Sequence, residues 1–268
     1  MRIMHTPYLF IFLSFFLTVA SSFSASANLL ISPTRIVFDE RTRTAKVYVI
    51  NNSSERKMYR LQWQEKKAKS EGGYESLPDL TSTSLSPMMR MSPSQISLAP
   101  GERQVVKLAL RKPRDLAELE YRSHLRFKAL PNEKNYSEKQ LGITLNMVMS
   151  YSIPVIYRAN KSIPKVRIAD VRVVQPDMLE LKMLRTGKQS TFGLLEVLFT
   201  PENSQKQQRV AVLSNFSIYP ELAEAKVHLS TIDGFRFTQA GELKVRYVGG
   251  KEYVGHVFAQ HSITLKHQ

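Results

Sequence analysis

The sequence has no cysteine among its 268 residues. That excludes disulfides, which small exported folds often use as staples, and it removes thiol nucleophiles and cysteine-based metal sites. The fold must be held by apolar cores, for which a hydrophobic fraction of 43% is ample. Negative charge is in short supply. Lys and Arg number 38 against 23 Asp and Glu, a formal net charge of +15. Such a balance suits acidic partners, nucleic acid or a negatively charged envelope surface, without choosing among them. Long hydrophobic runs are scarce. The longest, Tyr8 to Val19, is too short for a comfortable membrane span. Recognisable catalytic motifs are also missing: there is no HExxH, GxSxG, Walker loop or dinucleotide fingerprint. His256 and His261 stand five apart in a segment that reads as strand, so alternation points them to opposite faces. The expectation is therefore a protein that is not an enzyme, with no metal and no cofactor.

What is present begins with the compartment. Arg2, the apolar run from Tyr8 to Val19 and the small-residue sequence Ala25-Ser26-Ala27 form a secretory signal peptide over residues 1–27. The mature chain is expected to start at Asn28 and to be exported to the periplasm. No second long apolar run follows, so no integral membrane anchor is expected. An exported protein seldom meets nucleic acid, which argues against that partner despite the charge.

Almost every segment after Asn28 reads as strand. Pro33 marks an edge or kink in LLISPTRIVFD. TAKVYVIN and MYRLQWQ alternate, and ISLAPGERQVVKLALR reads as a hairpin turned at Pro100-Gly101. KKAKSEGGY reads as a polar turn or loop, RDLAELEY as a segment with room for a short helical turn, and EYRSHLRFKAL as a strand with Tyr121, Ser123, Leu125 and Phe127 on one face. About seven such strands joined by turns match the immunoglobulin-like sandwich pattern. Trp63 falls where such sandwiches keep a buried Trp, and Tyr121 falls at the place of the tyrosine corner. Ala159 to Pro164 reads as a linker, after which strands resume. The expected organisation is all-β, with one domain over 28–158, a hinge over 159–164 and a second β-sandwich over 165–268.

The longest alternation runs from Gln140 to Arg158, QLGITLNMVMSYSIPVIYR. Every odd position from Leu141 to Tyr157 is apolar or aromatic, including Ile143, Leu145, Met147 and Met149. A usual strand has about 5–6 residues, so this one is long enough to outrun its own sheet. Its large apolar face is either covered within the domain or made to be covered by something else.

Among the basic residues, Arg122, His124, Arg126 and Lys128 alternate along one strand and read as a solvated face. Arg35 differs, because it is flanked by the apolar Ile36, Val37 and Phe38. An arginine enclosed there needs an anion, and a carboxylate held bidentately would suit its planar fork.

These residues converge on a family. SPTRIVFDE, YRLQW, ISLAPGERQVVKL, EYRSHLRFKALP and SIPVIYR occur in the order found in the periplasmic chaperones of the chaperone–usher pathway, and the mature chain resembles them. The resemblance implies two immunoglobulin-like domains in an L or boomerang arrangement. It implies pilin or fimbrial subunits and an outer-membrane usher as partners, with self-association through the long strand as a further contact. Arg35 resembles the cleft arginine that anchors the subunit's C-terminal carboxylate. Leu145, Met147 and Met149 resemble the donor-strand residues, with Ile143 as a candidate fourth. Tyr157 and Arg158 match the strand-end Tyr-Arg. One position departs from the pattern. Pro154 stands where well-studied members carry a second cleft cation, a lysine, leaving Arg122, Arg126 and Arg158 as unranked candidates. That departure, with the EYRSHL form, resembles the divergent or archaic branch. The competing reading is a secreted immunoglobulin-like structural or adhesin subunit of a surface fibre. Such a subunit should carry a donor extension before its first strand, whereas Asn28-Leu29-Leu30 enters that strand almost at once.

Overall fold

The computed structural model describes residues 29–131 and 149–266, which form an almost entirely β structure. The N-terminal strands are β1 (Leu29–Ser32), β2 (Ile36–Phe38), β3 (Thr44–Asn51), β4 (Lys57–Ala68), β5 (Tyr74–Leu77), β6 (Met89–Ser92), β7 (Gln95–Leu98), β8 (Arg103–Leu110), β9 (Glu120–Leu130) and β10 (Ser150–Arg158). They build two sheets, β1-β3-β8-β6 and β2-β10-β9-β4-β5, with β7 also on β4. The remaining strands are β11 (Lys165–Gln175), β12 (Met178–Thr186), β13 (Gly193–Pro201), β14 (Gln208–Phe216), β15 (Glu224–Ser230), β16 (Gly241–Gly249) and β17 (Val257–Leu265). They build the sheets β11-β12-β15 and β14-β13-β16-β17. Each pair of sheets closes on its own apolar core. The first core centres on Phe38, Val49, Leu125, Phe127 and Val155, and the second on Leu181, Val197, Phe199 and Tyr247. These are two immunoglobulin-like β-sandwiches. Tyr121 makes the tyrosine corner, its hydroxyl donating to the Ala117 carbonyl 3.1 Å away.

Several local expectations are corrected. Pro100-Gly101 does not close a hairpin: β7 pairs with β4 in one sheet while β8 pairs with β3 and β6 in the other. The turn itself is of the expected kind, with Gly101 at φ +73° and Glu102 N–H donating to the Ala99 carbonyl. Buried Asn51 fixes where the chain crosses, because its Nδ2 donates to the Leu98 carbonyl at 2.9 Å and its own carbonyl accepts from Gly101 N–H. Trp63 is half-buried at the margin of the core instead of inside it. RDLAELEY forms turns and bends without a helix. KKAKSEGGY is turn only over residues 69–73: β4 runs on to Ala68 and β5 begins at Tyr74, so both ends of the segment are strand. Arg35 lies in a bend between strands, because the chain leaves β3's sheet after Ser32 and joins β10 at Ile36.

The two sandwiches touch through a small apolar cluster of Ala68, Ile156 and Tyr219, flanked by Val37 and Leu222. The tip of the β4–β5 hairpin reinforces it. Lys226 N–H donates to the Ser70 carbonyl at 2.7 Å, and Lys226 Nζ pairs with Glu71 at 2.8 Å.

Candidate binding site between the two sandwiches

β10 positions the site. Its odd residues Ile153, Val155 and Tyr157 fill the first core, as strand alternation requires. The same face continues at Met149, which is 50% exposed. Ile143, Leu145 and Met147 lie outside the described residues. β2 pairs with β10 only at Val155–Tyr157, in parallel. Among the described residues, Ser150–Pro154 therefore has β9 as its one strand neighbour. An edge of this kind tolerates a proline, which has no N–H to offer a ladder, and Pro154 sits there opposite His124.

One step back in the β2–β10 register brings Arg35 beside Pro154. Arg35 is only 6% exposed. Its Nη1 donates to Glu252 Oε1 at 2.7 Å, and its guanidinium lies 4.5 Å from the centre of the Phe192 ring. Its Nε and Nη2 are buried without a partner among the described residues. A desolvated donor left unpaired costs about 1–3 kcal/mol, so this arginine is under-satisfied as it stands.

Arg158, at the other end of β10, reaches the same carboxylate. Its Nη1 donates to Glu252 Oε1 at 2.8 Å, and its Nε donates to Glu120 Oε2 at 2.9 Å. Its Nη2 donates to the Ser190 carbonyl at 3.0 Å, while Ser190 N–H and Oγ both donate to Glu120 Oε2. Such buried charges are tolerated because they are paired and hydrogen-bonded at once. Burial alone would raise the Glu252 carboxyl, but Arg35 and Arg158 outweigh it and hold it below its usual range.

Arg122 makes a separate cross-sandwich contact. Its Nη2 donates to Glu221 Oε1 at 2.5 Å, and its guanidinium stacks 3.7 Å from the Tyr219 ring centre. Arg126 joins neither group; its Nη2 lies 3.4 Å from Ser150 Oγ on the outer sheet face. Of the four arginines singled out, the structure thus brings together Arg35 and Arg158. His124 is not on a solvated face. It is 2% exposed, its ring meets Tyr74 edge-on at 4.9 Å, and neither ring nitrogen has a partner among the described residues. Sequence reasoning missed Glu252 and Glu120. Glu120 opens the EYRSHL motif but was given no role there, and only the turn residues Gly249-Gly250 flag the neighbourhood of Glu252.

Residues 28–162 match the family described as "Pili and flagellar-assembly chaperone, PapD N-terminal domain", and the chain belongs to that family. No curated protein sequence matches it. Among solved structures it is similar to the class 5 fimbriae chaperone CfaA, at 12% identity and TM-score 0.47, covering 88% of this chain and 98% of that one. It is also similar to a chain of the CsuC–CsuE chaperone–tip subunit complex from the archaic Csu pili of Acinetobacter baumannii, at 17% identity and TM-score 0.45, covering 90% and 100%. A third likeness is to a chain of the complex of Salmonella enterica SafA pilin with the SafB chaperone, at 14% identity and TM-score 0.43, covering 90% and 98%. Family membership rests on the match over residues 28–162.

Proposed function

We propose that this protein is a periplasmic chaperone that holds incomplete pilin subunits by lending them a strand and passes them to an outer-membrane usher. In this reading the subunit's terminal carboxylate binds Arg35. Its open groove takes the donor run that includes Leu145, Met147 and Met149, with Ile143 at its outer end. The observation that carries the reading is Arg35: a nearly buried guanidinium with two unpartnered donors, set beside the open edge of β10. Adding a strand at an edge supplies main-chain hydrogen bonds, and alternate side chains supply specificity. Both parts of that arrangement then meet at one place. Glu252 occupies Arg35 in the free protein. The incoming carboxylate takes Glu252's place on Arg35, while Glu252 keeps Arg158.

Co-expression with small pilin-like subunits encoded beside this protein is the test. The expected result is a soluble one-to-one complex that is lost when the subunit's last residues are removed. Subunits equally soluble with and without this protein would reject the chaperone reading.

A further inference from the structure

The outer face of the β4–β9–β10 sheet is lined by cationic side chains. Facing outward in register are Arg60, Lys128 and Ser150 in one row, and Gln62, Arg126 and Ser152 in the next. Lys66, from β4, reaches across β9, and its Nζ lies 2.9 Å from Ser152 Oγ. Arg126 Nη2 lies 3.4 Å from Ser150 Oγ. Two long cationic side chains thus lean over small serines to the open edge of β10. Among the described residues, none of Arg60, Lys66, Arg126 and Lys128 is in a salt bridge. Burial lowers the Lys66 ammonium pKa, and the nearby Arg126 charge lowers it further, so the two cations crowd each other.

We infer that the strand added at this edge carries acidic side chains on its outward face, at the positions beside Ser150 and Ser152, and that Lys66 and Arg126 select for them. This rests on the strand-lending reading and deepens it by naming the chemistry of the partner. A strand hydrogen-bonded to β10 lies about 4.8 Å away, within reach of cation tips already drawn up at Ser150 and Ser152. A strand ending at Arg35 and lying along Ser150–Pro154 runs parallel to β10, as β2 does. The selected acidic positions therefore fall within the last few residues before its carboxylate. Opposite charges on neighbouring strands favour pairing, and like charges oppose it.

The test uses the mature chain and three short synthetic peptides of alternating apolar sequence. One has Glu at two outward positions and a free carboxyl terminus, the second has Gln at those positions, and the third is the Glu peptide with an amidated terminus. The Glu peptide is expected to bind about fivefold tighter than the Gln peptide at low salt. That preference should fade as salt is raised and vanish in the Lys66→Gln, Arg126→Gln double variant. Equal binding of the Glu and Gln peptides, with amidation still weakening binding, overturns this inference and leaves the carboxylate anchor standing. Failure of all three peptides to bind overturns both.

Discussion

Arg35 and Glu252 are 217 residues apart in the sequence and are joined by a 2.7 Å charge-assisted hydrogen bond. The contact ties the bend that opens the first sandwich to the short turn Lys251–Tyr253 of the second. It also places a carboxylate, supplied by the chain itself, on the guanidinium proposed to receive one from a subunit.

The first prediction concerns that guanidinium. Arg35→Ala removes a charge-assisted bond that contributes about 1.5–3 kcal/mol, so capture of a subunit or C-terminal peptide should weaken about tenfold to a hundredfold. The fold should persist, because Glu252 keeps Arg158 as its partner. Binding titrations alongside a far-ultraviolet dichroism spectrum check both halves. Unchanged affinity would remove Arg35 from the anchor role.

A second prediction follows from Glu252 standing in for the incoming carboxylate. Glu252→Gln should free Arg35 and tighten binding of a peptide with a free terminus about tenfold, the equivalent of about 1.4 kcal/mol. The amidated peptide should gain nothing. If both peptides tighten equally, Glu252 is not competing for Arg35, and the exchange is wrong.

The donor run gives a third. Met149 is half-exposed, so a polar substitute there should not disturb the core. In the proposed complex, Met147→Asp with Met149→Asp would bury two carboxylates in the subunit groove. A buried group without a partner costs at least about 2 kcal/mol, so the complex should weaken about thirtyfold or more. Thermal melting of the free Met149→Asp protein should be unaffected. Co-purification of normal amounts of subunit with the double variant would place the contact elsewhere.

Much of this was legible in the sequence, for local reasons. The β10 alternation shows because strand side chains have a period of two, and Arg35 stands out because an arginine among Ile, Val and Phe needs an anion. What was not legible depends on which strands meet. Pro100-Gly101 marks a turn, but a turn does not say whether its flanking strands share a sheet, and here they do not. His124 alternates with core residues and so points outward. It is buried because Tyr74, on the far arm of the β4–β5 hairpin, packs against it. Glu252 and Glu120 were two of 23 acidic residues until the sandwiches placed them around Arg158.

The last prediction concerns acid stability. Burial lowers the His124 pKa from 6.5 to about 3, and the charges of Arg122 and Lys66 add to the effect. The folded protein therefore keeps this imidazole neutral where the unfolded chain would protonate it. Because the folded-state pKa is the lower one, the stability linked to this group is fully present above pH 6.5 and is lost as pH falls toward 3. The slope in that window is about 1.4 kcal/mol per pH unit for a single proton. His124→Leu cannot take up a proton in either state, and neither imidazole nitrogen has a hydrogen bond to lose among the described residues. Denaturant unfolding between pH 7 and 5, where most carboxylates stay ionised, should show wild-type stability falling relative to the variant by about 2 kcal/mol. Parallel pH profiles for the two proteins would mean that water reaches the ring and that the cover provided by Tyr74 opens readily.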